Sequence, residues 1–187
     1  MGKIVASILW RRLDHEGHDA CRLIETPDGW TLSGQASFIE EGGLLCGLAY
    51  RVECARDWVT RKADVSGFVG REPLSLSIAH SPEAGWTVDD KARPDLDGLT
   101  DIDLGFTPAT NLIALRRFAL KIGESALAPA AWFAFPDLRV ARMEQTYCRL
   151  DEARYDYTGI AYHEVLTVSP AGFVTDYPRL WSAVKLA

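Results

Sequence analysis

Two features of the chain predict an all-β fold: apolar and polar residues alternate with period two in run after run, and turn-forming clusters stand between the runs. A third, the lack of any internal repeat, low-complexity tract or linker, predicts one domain over residues 1–187. In chain order, the first apolar run is Ile4 to Trp10. Next, Trp30, Leu32, Gly34, Ala36 and Phe38 share one face while Thr31, Ser33, Gln35 and Ser37 share the other. Cys46, Leu48, Tyr50, Val52 and Cys54 alternate against Gly47, Ala49, Arg51 and Glu53, and Leu74, Leu76 and Ile78 against Ser75 and Ser77. Pro27-Asp28-Gly29, Glu41-Gly42-Gly43, Gly70-Arg71-Glu72-Pro73 and Ser81-Pro82-Glu83 supply the turns. The first half therefore reads as an antiparallel meander.

Residues 89–111 break this rhythm with Pro94, Asp97-Gly98 and Thr107-Pro108, which predicts a long irregular crossing between two halves of the sheet. A loop of that length in a compact domain is usually functional. Asn111 to Ile122 fits two patterns. Leu112, Leu115, Phe118, Ala119 and Ile122 make a helical face between Thr110 and Gly123, yet Gly123-Glu124-Ser125 can turn a hairpin into Ala126 to Phe135, and the hairpin is the favoured expectation. Long strands are expected at Arg139 to Leu150 and Ala161 to Val168, with Pro170-Ala171-Gly172 turning into Phe173 to Tyr177.

Composition narrows the function classes. The net charge of -6 and sequence pI near 5.2 lack the basic footprint that nucleic-acid binding needs. The Ile4 to Trp10 run is too short for a membrane span and has no cleavage site of small residues, so the expected location is cytoplasmic. Four cysteines show no C-x-x-C spacing, and Cys46 and Cys54, on one strand, would lie roughly 26 Å apart at ~3.3 Å per residue, too far to bridge. Buried free thiols are expected. His15-x-x-His18-x-x-Cys21 has ligand-type residues but no fourth ligand, and reads as a polar surface loop entering a strand. No Gly-rich phosphate loop and no Gly-x-Ser-x-Gly is present, so no cofactor, metal or catalytic residue is assigned.

The densest polar cluster runs from Asp101 to Phe118, with Asp101, Asp103, Asn111, Arg116 and Arg117 among apolar residues. An unpaired buried polar group costs ~1 to 3 kcal/mol, so such a cluster must either satisfy itself or line a site. If that segment is extended, Asp101 and Asp103 share a face with Cα atoms roughly 6.6 Å apart. That suits a carboxylate pair of the kind that separates acid and base roles, since glycosidase carboxyls stand roughly 5 to 9.5 Å apart. The plainer reading is that both aspartates accept hydrogen bonds from Arg116, Arg117 and loop amides, with Asp103 the acceptor for a buried arginine. On a strand Arg116 and Arg117 would face opposite sides, leaving one to point inward, paired internally or clamping an anionic head group. Arg61, in register with Val59, Ala63 and Val65, is a second inward candidate. Tyr147, Tyr155, Tyr157, Tyr162 and Tyr177, with Trp10, Trp58, Trp132 and Trp181, can line a sugar or lipid site or simply fill the core, and Gln145 beside Tyr147 can meet a sugar hydroxyl.

Several segments, in order, resemble a known group. Asp57-Trp-Val-Thr-Arg61, Asp101-Ile-Asp-Leu104, Thr107-Pro-Ala-Thr-Asn111, Leu115-Arg-Arg-Phe118, Phe135-Pro-Asp-Leu138, Gln145-Thr-Tyr147, Tyr155-Asp-Tyr157 and Gly172-Phe-Val-Thr-Asp-Tyr-Pro178 are similar to the bacterial putative glycolipid-binding family. The resemblance implies a curved antiparallel sheet rolled into an open barrel around an apolar hollow, similar to bacterial lipoprotein and lipid carriers. The expected function is the binding of an amphipathic ligand, a glycolipid or fatty-acyl conjugate, with Arg61, Asp101, Asp103, Asn111, Arg116, Arg117, Gln145, Tyr147, Tyr155 and Tyr157 as candidate contacts. The alternatives are a hydrolase using Asp101 and Asp103, or a structural or interaction protein that binds no ligand. Oligomeric state is not legible.

Overall fold

The computed structural model describes residues 2–160 and 162–187. The first half is the expected meander: β1 (Lys3–Arg12), β2 (Gly17–Thr26), β3 (Gly29–Ile39), β4 (Leu45–Ala55), β5 (Thr60–Val69), β6 (Glu72–Ser81), β7 (Gly85–Val88) and β8 (Lys91–Ala92) pair antiparallel, each with the next. Alternation decides which face is buried. Cys46, Leu48, Tyr50, Val52 and Cys54 all point inward, as do Ala36 and Phe38, Leu76 and Ile78. The meander resumes at the C-terminal end with β13 (Thr146–Arg149), β14 (Arg154–Thr158), β15 (His163–Val168), β16 (Val174–Tyr177) and β17 (Trp181–Leu186). Strand β17 pairs with β1, joining both halves into one antiparallel sheet of fourteen strands, with β8 at one edge and β10 (Ser125–Leu127) at the other. The sheet curls without closing.

Between the halves the chain builds the plug of the curl. A 3-10 turn at Pro94–Leu96 leads to β9 (Asp101–Leu104), all four residues of which are buried. Strand β9 lies parallel to β11 (Ala130–Ala134), which pairs antiparallel with β12 (Arg139–Met143) to complete a three-stranded sheet. Phe106, just after β9, packs against Phe38, Tyr50, Phe133 and Phe135. With Trp10, Phe133 and Phe173 fully buried, the interior of the curl is filled by side chains.

Five expectations change. Residues 111–118 form a helix, α1 (Asn111–Phe118), not a hairpin arm. Asn111 to Leu115 are all buried, and a short helix satisfies their backbone groups internally where no strand partner is at hand. It ends at Ala119, in the left-handed region with φ 44°, whose N–H bonds Leu115 O at 3.2 Å. The expected strand from Ala126 to Phe135 is two strands, β10 and β11, in different sheets, and the one from Arg139 to Leu150 is likewise split into β12 and β13. Arg61 is exposed. A bulge between Glu53 and Cys54 shifts the pairing with β5, so alternation counted from Val59 fails there. His18 and Cys21 lie within β2 on opposite faces, His18 exposed and Cys21 buried, rather than in a loop.

Candidate functional site

Where the three-stranded sheet meets the end of β1 and strands β14, β16 and β17, a cleft of about 280 Å³ opens. Asp103, Thr107 and Asn111 line it from the crossing segment, and Trp132, Phe135 and Met143 from the small sheet side. Tyr157, Tyr177 and Trp181 come from the large sheet. Arg12, Asp14, His15, Glu40 and Glu41 stand around it, together with Ile160 and Tyr162. Gly105 belongs to the same wall. A Cβ there would stand 2.7 Å from Trp132 Nε1 and 2.9 Å from Phe133 O, so only glycine lets the indole pass this close.

The two aspartates of β9 have opposite circumstances. Asp101 accepts a forked ion pair from Arg117, Nε to Oδ1 at 2.6 Å and Nη2 to Oδ2 at 2.8 Å, and a further bond from Thr100 Oγ1 at 3.2 Å. Arg117 in turn stacks 4.0 Å over Phe118. Asp103, only 9% exposed, lines the cleft and no donor among the described residues reaches its carboxyl. Burial alone pushes its pKa up to about 7. The expected arginine acceptor is therefore Asp101, and Asp103 is left without a partner.

Tyrosines line the path from the interior. Tyr147 packs 4.9 Å from Tyr157, Tyr157 5.8 Å from Tyr177, and Tyr177 6.1 Å from Tyr162 at the mouth. Burial pushes the phenols of Tyr147, Tyr157 and Tyr177 above their ordinary value, with the nearby Asp103 charge adding to it, so they remain protonated donors. The Tyr147 hydroxyl donates to Asn111 Oδ1 at 2.7 Å and lies 3.3 Å from Gln145 Oε1, while Asn111 Nδ2 donates to Pro108 O at 3.2 Å. Arg12 sits between Phe38 and Trp181, its guanidinium 4.6 Å and 5.4 Å from their rings, and forks onto Asp14 at 2.8 and 2.9 Å.

Of the ten candidate contacts, Asp103, Asn111 and Tyr157 line the cleft, with Tyr147 and Gln145 directly behind Asn111, and of the aromatics named beside them Trp132, Tyr162, Tyr177 and Trp181 line it too. The others do not join them. Arg117 and Asp101 form their own pair, Arg116 is exposed and donates to Pro170 O at 3.0 Å, Tyr155 lies beside Arg149, and Arg61 is exposed. One buried group escaped the sequence reading. Asp19, fully buried on β2, accepts a 3.0 Å bond from Tyr50 and a short one from Thr107, whose Oγ1 also accepts Ala109 N at 3.0 Å. Burial outweighs these bonds and raises its pKa to about 6. The signal was available: Asp19 shares the inward parity of Cys21 and Leu23.

A sequence model of the family described as "Putative glycolipid-binding" matches residues 7–183. The chain belongs to this family. Every residue that lines the cleft, from Arg12 to Trp181, lies within the matched span of the glycolipid-binding family. The chain is also similar to a DUF1089 family protein from Pseudomonas aeruginosa known from a crystal structure: 32% identity, a TM-score of 0.78, and coverage of 88% of this chain and 90% of that one. Comparison with the curated proteins gives no match. Among the described residues, no helix is long and apolar enough to cross a membrane, and no cluster of His, Cys, Asp and Glu is arranged to hold a metal ion.

Proposed function

We propose that this protein binds an amphipathic ligand of glycolipid type, with the polar head in the cleft around Asp103 and the apolar tail leaving past the mouth. The observation that carries this reading is the unpartnered Asp103 carboxyl facing an aromatic-walled cleft. A buried carboxyl without a donor costs stability, and a ligand that supplies one offsets that cost. Tyr157, Tyr177, Trp132 and Trp181 offer the flat faces on which sugar rings stack, and Asn111 sits on the wall with its amide held by Tyr147 and Pro108. Ile160, 64% exposed, and Tyr162 at the mouth give the tail an apolar exit.

The filled interior limits how much of the tail is held. The cleft's volume lies at the lower edge of the roughly 300 to 1,000 Å³ typical of small-molecule sites, enough for a head group and the first carbons. Because Asp101 is taken by Arg117 and does not line the cleft, only one carboxyl of the β9 pair opens onto it, which favours binding over two-carboxylate hydrolysis. Four free thiols fit a cytoplasmic setting.

Native mass spectrometry of the purified protein, followed by titration with n-octyl β-D-glucoside read through tryptophan fluorescence, tests the proposal. Saturable quenching or enhancement that is lost in Tyr177→Ala supports it. No copurifying amphipath and no saturable signal from the glycoside removes it.

A further inference from the structure

We infer that the head group selected by this cleft carries an amine, so that the preferred ligand is an amino-sugar amphipath rather than a neutral or anionic one. The inference rests on the binding reading above and adds the charge of the ligand to it. Four carboxylate side chains line the cleft, Asp14, Glu40, Glu41 and Asp103, against one guanidinium, Arg12, and one imidazole, His15. Arg12 donates Nε and Nη2 to Asp14 and is enclosed by Phe38 and Trp181, with its buried Nη1 left without a partner among the described residues. Glu40 is committed too, accepting Gly42 N at 2.7 Å and Leu44 N at 2.9 Å. Asp103, nine-tenths buried, is left with no donor. An anionic head would meet three further carboxylates, Glu40, Glu41 and Asp103, and as its one guanidinium an Arg12 whose charge Asp14 already balances.

An ammonium fits each part of this arrangement. It brings a positive charge to the unpaired carboxyl and up to three donors, for Asp103 and the oxygens near it. The ring faces of Tyr157, Tyr177 and Trp132 attract a cation, more strongly where water is excluded. A neutral sugar hydroxyl supplies one donor and no charge, so it leaves Asp103 dependent on its own proton.

The groups facing Asp103 set the pH window. Tyr147, Tyr157 and Tyr177 stay protonated because burial raises them, and Asp101 is held in its pair with Arg117. Burial lifts Asp14, but the bonds and charge of Arg12 outweigh it and keep the carboxyl low, while the Gly42 and Leu44 amides lower Glu40. Glu41 and His15 complete the set. Ionisation of Asp103 on the alkaline side of its pKa of about 7 then creates the charge that an ammonium meets.

The test uses the full chain and three probes: n-octyl β-D-glucoside, its 2-amino-2-deoxy counterpart, and n-octylammonium, whose amine keeps its proton throughout because an alkylamine has a pKa of roughly 10.4. The expected result is that the amino glycoside binds about tenfold or more tightly than the neutral one at pH 7, where its amine is still largely protonated. Affinity for n-octylammonium should fall as pH is lowered from 8 to 5.5. Asp103→Asn should abolish the amine preference, so that whatever affinity remains is equal for the two glycosides, and the pH series on the unaltered protein needs no variant at all. Equal affinity for the two glycosides overturns the amine and leaves glycolipid binding intact. Binding of n-octylammonium with no binding of either glycoside upholds the amine and removes the sugar. A preference that survives Asp103→Asn, or a pH dependence that disappears in His15→Asn instead, overturns the assignment to Asp103, and no binding of any probe removes both readings.

Discussion

Replacing Asp103 by asparagine should stabilise the folded protein above neutral pH, the reverse of what removal of a buried carboxylate usually does. In the unfolded chain the carboxyl loses its proton near pH 3.9, and in the folded chain near pH 7. Between those values the folded state holds a proton that the unfolded state has released, so stability falls as pH rises, by up to 1.36 kcal/mol per pH unit, and levels off once both forms are ionised. Integrated over a gap of about three pH units, Asp103 lowers stability by about 4 kcal/mol at pH 8 relative to pH 4. Asparagine has the same shape and no charge. The difference between variant and wild type should therefore be near zero at and below pH 4, about 1 kcal/mol at pH 5, and about 2 to 4 kcal/mol in favour of the variant at pH 8, the lower end allowing for water that reaches the carboxyl through the cleft. Asp19, whose pKa is also raised by burial, acts identically in both proteins and cancels from the difference. Urea unfolding at pH 4.5, 6, 7 and 8 reads it directly. Parallel stability profiles, or a variant that is less stable at pH 8, would refute the claim that Asp103 is buried without a partner.

Arg117→Met should cost about 3 to 5 kcal/mol because it strands the Asp101 carboxylate in the core, whereas Arg116→Ala, which removes one exposed bond to Pro170 O, should change stability by less than about 0.5 kcal/mol. Denaturant midpoints separate them. Thr107→Val should cost about 1 to 3 kcal/mol by withdrawing a donor from Asp19, and more at pH 8 than at pH 5, since the lost bond matters most when that carboxyl is ionised; thermal melting at the two pH values checks the sign. Thiol labelling of the native protein should modify Cys148 well before Cys21 and Cys54, whose burial raises their pKa, and peptide mapping after brief labelling identifies the site.

The meander was legible because one face of each strand meets the core and the other meets water, so that Cys46, Leu48, Tyr50, Val52 and Cys54 declare their side by parity alone. Parity carries no record of which sheet a strand joins. The chain leaves the large sheet between Leu127 and Ala130 and returns to it between Met143 and Thr146, and the two crossings are tied by Ala128 N bonding Gln145 O at 2.8 Å. Nothing in the local pattern marks that joint. The helix was legible only as the second choice: Leu112, Leu115 and Phe118 make a helical face, but Asn111, Ile113 and Ala114 are buried beside them, so its first turn has no solvent side to confirm the period. At the site, polar density pointed to Asp103 and Asn111, and the aromatic pattern to Tyr157. The division of roles between Asp101 and Asp103 was not legible, because it depends on Arg117 arriving from a helix rather than a strand. Arg12, Trp132 and Trp181 join the cleft only through the β1–β17 pairing and the placement of the small sheet.

The central claim, that the cleft around Asp103 is where a ligand binds, is tested most directly by mapping amide and indole NMR shifts of the full chain during titration with n-octyl β-D-glucoside. The account predicts saturable shifts at Asp103, Gly105, Thr107, Asn111, Tyr157 and Tyr177 and at the indoles of Trp132 and Trp181. Shifts that instead gather on the shallow groove across β1, β2 and β3, around Ser7, Ser33 and Gln35, or that never saturate, would contradict it.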